Sequence, residues 1–140
     1  MTRTDERGSA AIEAVVVAPA VVALIGLVIL GGRVALAHQA VQAVADSAAR
    51  AASLARTTDA AETAAKEATR IGLDQDLPCA THQLQLDLDG FTKPVGTPAS
   101  VTATLSCELA VAELAIPGLP GTLTVRATMS SPLDTHRERR

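Results

Sequence analysis

The chain has 140 residues, 12 basic and 15 acidic, for a net charge of −3; 48% are hydrophobic, yet there is one Phe and no Tyr or Trp. That length holds one modest domain, and a slightly acidic chain with almost nothing for bases to stack on does not suit nucleic-acid binding. If an apolar stretch is held in lipid, about a hundred residues remain for a core of Ala, Val and Leu, too few for a large enzyme.

Residues 1–8, MTRTDERG, are polar, with Arg3 and Arg7 offset by Asp5 and Glu6, and too short to fold alone. From Ser9 to Gly32 the residues are almost all Ala, Val, Leu, Ile and Gly, and the uncharged run from Ala14 to Gly32 is close to the ~20 residues that cross a hydrocarbon core. Glu13 stands just inside this segment. A carboxylate towards the centre of a spanning helix costs about 2.5–3.5 kcal/mol on insertion scales, so its presence asks for a reason. Pro19 should kink the helix or release the carbonyl of Val15.

Arg33 ends the apolar run, but Ala-rich helical sequence continues, and one long helix from about Ser9 to about Ile71 is expected. It would extend about 90 Å. Val34, Val41, Ala48 and Ala55, with Val44 and Ala51 alongside, form a narrow stripe suited to close helix packing. Asp46, Arg50, Arg56, Glu62, Lys66 and Arg70 read as a solvated face, with Asp46/Arg50 and Glu62/Lys66 four apart in the favourable order. The weak point is Thr57, Thr58 and Asp59, where an N-cap-like sequence offers a break.

After Gly72 the pattern changes to period two. Leu84, Leu86 and Leu88 alternate with Gln83, Gln85 and Asp87; Val101, Ala103, Leu105, Cys107 and Leu109 alternate with Thr and Ser; Leu123, Val125, Ala127 and Met129 alternate with Thr and Arg126. Three strands in a small antiparallel sheet are expected, covered by the upper part of the long helix. GFTKPVGTPA is a turn-rich connector. In ELAIPGLPG, the apolar Leu114, Ile116 and Leu119 are expected to fold over the sheet edge, an exposed contact patch being the alternative. The end, HRERR, is a charged tail. Cys79 and Cys107 are natural disulfide partners in an oxidising compartment, where the closed loop would stabilise by roughly 3.5 kcal/mol; two buried free thiols are the other reading.

Chemistry is sparse. His38, His82 and His136 are scattered, no metalloprotease, hydrolase or phosphate-loop pattern is present, and DLDG at Asp87–Gly90 lacks the acidic ligand that would complete a calcium loop. No enzyme activity, metal or cofactor is expected.

The segment RGSAAIEAVVVAPAVVALIGLVILGGR resembles the TadE-like and TadG-like pseudopilins of the tight-adherence (Flp) pilus system. The shared pattern is an Arg-Gly and small residue (Arg7, Gly8, Ser9), a Glu shortly after (Glu13), a Pro in the apolar helix (Pro19) and an Arg just past it (Arg33). The resemblance covers about the first sixty residues. It implies a prepilin peptidase cutting between Gly8 and Ser9, after which Glu13 is the fifth residue and lies one turn from a new α-ammonium. It also implies a structural role in assembling a Tad-type pilus or secretion apparatus, with membrane lipid, the peptidase and other Tad pilins as partners. The N-terminus would be cytoplasmic and the remainder extracytoplasmic.

The expected fold is α+β and pilin-like: leader 1–8, transmembrane helix 9–32, Ala-rich stalk 33–71, small β-rich domain 72–132 and tail 133–140. Two other readings stay open. Ala35 and Ala37 form a signal-peptidase-like site whose cleavage would release a secreted binding protein. Alternatively the chain is an unprocessed single-pass anchor, with the Glu13 head reaching the headgroups.

Overall fold

A computed structural model describes residues 6–76, 79–110 and 121–136, with side chains from residue 14 onward except at 76. Helix α1 runs Glu6–Leu54 and α2 Thr58–Asp76; strands β1 (Thr81–Asp87), β2 (Ser100–Ala110) and β3 (Thr122–Pro132) follow, with a short 3-10 turn at Asp89–Thr92. The expected α+β arrangement of a long apolar helix and a small antiparallel sheet is what forms.

The helix does not continue unbroken to Ile71. It stops at Leu54, where Ala55 N–H closes a tight turn on Ala52 O, and restarts at Thr58 with the Thr57 hydroxyl accepting from Ala60 N–H at 3.2 Å. Thr57 therefore caps α2, the role its side chain suits at a helix start. The chain then reverses: Ala48, Ala49 and Ala52 share a cluster with Ala61 and Ala65, while Val44 lies against Gly72. Two antiparallel helices thus replace the upper part of a single rod. Small side chains permit this closeness, and Gly72 permits most, since a Cβ there would come 2.7 Å from Val44 Cγ2.

The sheet is a meander in the order β1-β2-β3, antiparallel throughout. Register places Leu84 opposite Leu105 and Leu105 opposite Ala127, so the alternating apolar sets of the three strands lie on one face. That face packs on α1: Val101, Ala103, Leu105 and Cys107 are wholly buried, as are Val41, Ala45 and Ala48 of the helix. Full burial contributes about 1.5–3 kcal/mol for each Val or Leu. The stripe at Val41, Val44 and Ala48 is thus packed within the chain, against α2 and the sheet.

The core has two parts along α1. The lower joins Ala37, Val41, Val44 and Ala45 to Leu73, Leu105, Leu109 and Val125, with Leu30 and Val34 packed at its bottom. The upper joins Ala48, Ala49 and Ala52 to Val101, Ala103, Leu133 and Phe91, the single aromatic residue filling space that alanines leave. Gly90 is held so tightly that a Cβ would sit 2.4 Å from the Ser100 carbonyl oxygen. The expected fold-over of Leu114, Ile116 and Leu119 falls outside the described residues, as do residues 1–5 of the leader and 137–140 of the tail.

Candidate functional site

Gly8, Ser9 and Glu13 all lie on α1, within its first turns. Their side chains are outside the described set, but the helix backbone fixes the spacing: four residues separate Ser9 from Glu13, about 6 Å along the axis. The residue pair is thus placed on one face, one turn apart. Pro19 lies inside α1 without ending it. Proline carries no N–H, so one rung of the helical ladder is lost at that point.

Above this, apolar side chains are bare. Val15, Val16, Leu24, Leu27 and Val28 are between 61% and 73% exposed, and among the described residues nothing packs on α1 until Leu30 touches the lower core. By length and composition this helix is able to cross a membrane. Arg33, exposed, marks the upper end of the apolar run. A run this long, exposed among the described residues, is otherwise an extensive apolar patch in water.

Residues 8–50 match the TadE-like protein family. The match begins at the Gly8–Ser9 step, includes Glu13, Pro19 and Arg33, and ends within the packed part of α1. No curated protein and no solved structure matches the chain. The TadE-like segment is therefore the apolar span together with the stretch of α1 on which the sheet rests.

Cys79 and Cys107 are joined in a disulfide, Cα atoms 5.5 Å apart. The pairing follows from strand register. Ala80 N–H donates to the Glu108 carbonyl at 2.8 Å as β1 begins, which brings Cys79 beside the buried Cys107 of β2. The bridge thus ties the end of the helical hairpin to the central strand, and the free-thiol reading does not hold.

Two further groupings are less visible in the sequence. On α2, Arg70 donates to both Glu67 oxygens, at 3.0 and 2.7 Å, and to Asp74 at 3.2 Å. The hydrogen bonds from Arg70 hold the Glu67 carboxyl below the ordinary glutamate range, and Glu67 holds the guanidinium above its own. The three-and-four spacing was a signal for this cluster. Glu62 and Lys66 pair as expected, whereas among the described residues no ion pair joins Asp46 to Arg50. The second grouping is long-range. At the foot of the sheet, Gly31, Val34, Ala35 and His38 of α1 line a shallow groove with Leu123, Thr124, Val125 and Arg126 of β3. No sequence signal places those segments together.

The open face of the sheet carries hydroxyls in rows: Thr104 with Thr128 at 3.0 Å, Arg126 Nε donating to Ser106 at 3.0 Å, and Thr81 donating to Glu108 at 2.8 Å. These side chains pair across strands. At DLDG, Asp87 Oδ1 accepts from Asp89 N–H at 3.0 Å, so the carboxylate closes a turn out of β1. Among the described residues no group of three or more His, Cys, Asp and Glu is placed to hold a metal ion.

Proposed function

We propose that this chain is a minor pilin or pseudopilin: a membrane-anchored structural subunit in assembly of a Tad/Flp type IV pilus or a related secretion apparatus. The observation that carries this reading is the TadE-like match across a helix whose apolar lower half is exposed among the described residues. In this reading the apolar half of α1 sits in the cytoplasmic membrane with the N-terminus inside, and the helical hairpin, sheet and disulfide lie outside, where thiols are oxidised. A prepilin peptidase removes the leader between Gly8 and Ser9. Other Tad pilins or assembly proteins contact the bare helix.

Glu13 then has a partner. Cleavage creates an α-ammonium at Ser9, one turn away, and in a low-dielectric setting the two charges offset each other within a subunit or between neighbours. Glu13→Ala is expected to leave the folded domain and membrane insertion intact while abolishing incorporation into the assembly, measured as subunit recovered with sheared pili. Unchanged incorporation would sink the pairing role.

Mass measurement of the mature N-terminus tests the whole reading. A chain beginning at Ser9 supports a processed pseudopilin; one beginning at Met1 or Thr2 is an unprocessed anchor; one beginning at His38 is a secreted protein. The packing speaks against the last, because cutting after Ala37 would sever α1 inside the lower core and remove Leu30, Val34 and Ala37 from it.

A further inference from the structure

The foot of the sheet stands at a particular height on α1. The uncharged run Ala14–Gly32 rises about 28 Å as helix, against a hydrocarbon core of about 30 Å, so the core ends near Gly32 and Arg33. The headgroup layer above it is about 5–7 Å thick, roughly three to five helical residues, and so reaches the level of Ala35 to His38. This is the level at which β3 meets the helix: Leu123 to Arg126 line the groove with Gly31, Val34, Ala35 and His38, and Leu30 packs beneath the lower core. On the rest of the helix surface, Leu36 is still 65% exposed at this height.

Arg126 dominates the chemistry of this end. Its Nε donates to Ser106, which fixes the guanidinium on the outer face of the sheet and leaves its two terminal nitrogens without an acceptor among the described residues. Glu108 lies opposite Thr124, one step lower on the same face, and accepts from the Thr81 hydroxyl through one carboxylate oxygen. A planar guanidinium with two donor nitrogens uncommitted among the described residues matches a phosphate diester.

We propose that the foot of the sheet is a phospholipid-headgroup contact surface, continuous with the bare helix below it, in which Arg126 binds the phosphates of anionic lipids. The proposal rests on the membrane-anchored reading above. The domain then does not stand clear of the bilayer on a stalk but has its lower edge in the headgroup layer.

The chain has no tryptophan, so a single introduced one reports depth without background. Thr124→Trp places it one step below Arg126, Thr128→Trp one step above Arg126 and about 13 Å higher than Thr124 on the same face, and Val22→Trp in the apolar run. The full-length protein is reconstituted in mixed phosphatidylcholine and phosphatidylglycerol vesicles with bromine carried near the headgroup or deep in the acyl chain. Headgroup-proximal bromine should quench the Thr124→Trp emission strongly and that of Thr128→Trp little. Bromine on phosphatidylglycerol should quench Thr124→Trp more than bromine on phosphatidylcholine, by up to about five-fold in lipid association for one surface guanidinium, and Arg126→Gln should erase that preference. Thr122→Trp, one step lower, repeats the measurement if the first variant folds poorly. Quenching of Val22→Trp without quenching of the foot overturns this proposal alone, and loss of both overturns the membrane reading with it. An anionic preference that survives Arg126→Gln removes Arg126 from the role.

Discussion

Replacing Gly72 with Ala separates the helical hairpin from a straight stalk by the sign of its effect. On an exposed single helix the change is favourable, by about 1 kcal/mol, because glycine is the poorer helix former. In the hairpin the new Cβ would stand 2.7 Å from Val44 Cγ2 and 3.2 Å from Cγ1. Carbon atoms relax at about 3.5–4.0 Å, so one helix must retreat by nearly 1 Å, and overpacking of this kind costs about 1–3 kcal/mol. The net expectation is destabilisation of about 1 kcal/mol. Adding Val44→Ala removes both methyl groups, and in that background Gly72→Ala should turn stabilising, a coupling of about 1–3 kcal/mol. Urea unfolding of the full chain in mild detergent, followed by circular dichroism with the disulfide intact, provides the four free energies. Stabilisation by Gly72→Ala in both backgrounds would refute the packing of α2 on α1.

Reducing the Cys79–Cys107 bridge, whose ends are 28 residues apart, should cost about 3.6 kcal/mol by loop-closure entropy, read as a lower urea midpoint; an unmoved midpoint contradicts it. Both thiols should alkylate only after reduction. Gly90→Ala should lose about 1–3 kcal/mol, because the obstructing atom is the Ser100 backbone oxygen and the chain must shift to admit the methyl group. A normal melting temperature for that variant would show the turn is looser than described. The Glu67 carboxyl is held below its ordinary value by Arg70, so its contribution is fully present above the unfolded value near ~4.3 and is lost as pH falls through the folded one. Glu67→Gln should flatten that acid limb slightly, both side chains being exposed, and an unchanged slope counts against the pair.

The strands were legible because period-two alternation is a strong local signal: Val101 to Leu109 are buried at every second residue. The helix break was legible too, as a capping sequence at Thr57. What alanine conceals is direction. With Ala on nearly every face of residues 34–70, the pattern does not distinguish a helix that continues from one that folds back, and only the fit of Gly72 against Val44 decides it. At the candidate site, the Gly8, Ser9 and Glu13 spacing is a property of local sequence. The meeting of Gly31–His38 with Leu123–Arg126 is not, since residues 39–122 lie between them and the strand register sets their height.

One consequence of that register reaches the proposed role. Helix α1 supplies side chains to both halves of the core and continues as one helix into the exposed apolar run below Leu30, so the apolar half and the domain share a single element. Rotating the lower helix by one residue, 100° about its axis, would carry Val41, Val44 and Ala48 off the sheet unless the domain turned with it. Whatever packs against the apolar half therefore also fixes which way the open hydroxyl face of the sheet points. A subunit held through its helix would present its domain in one orientation only, and a change at the helix contact would be felt at the domain surface as rotation.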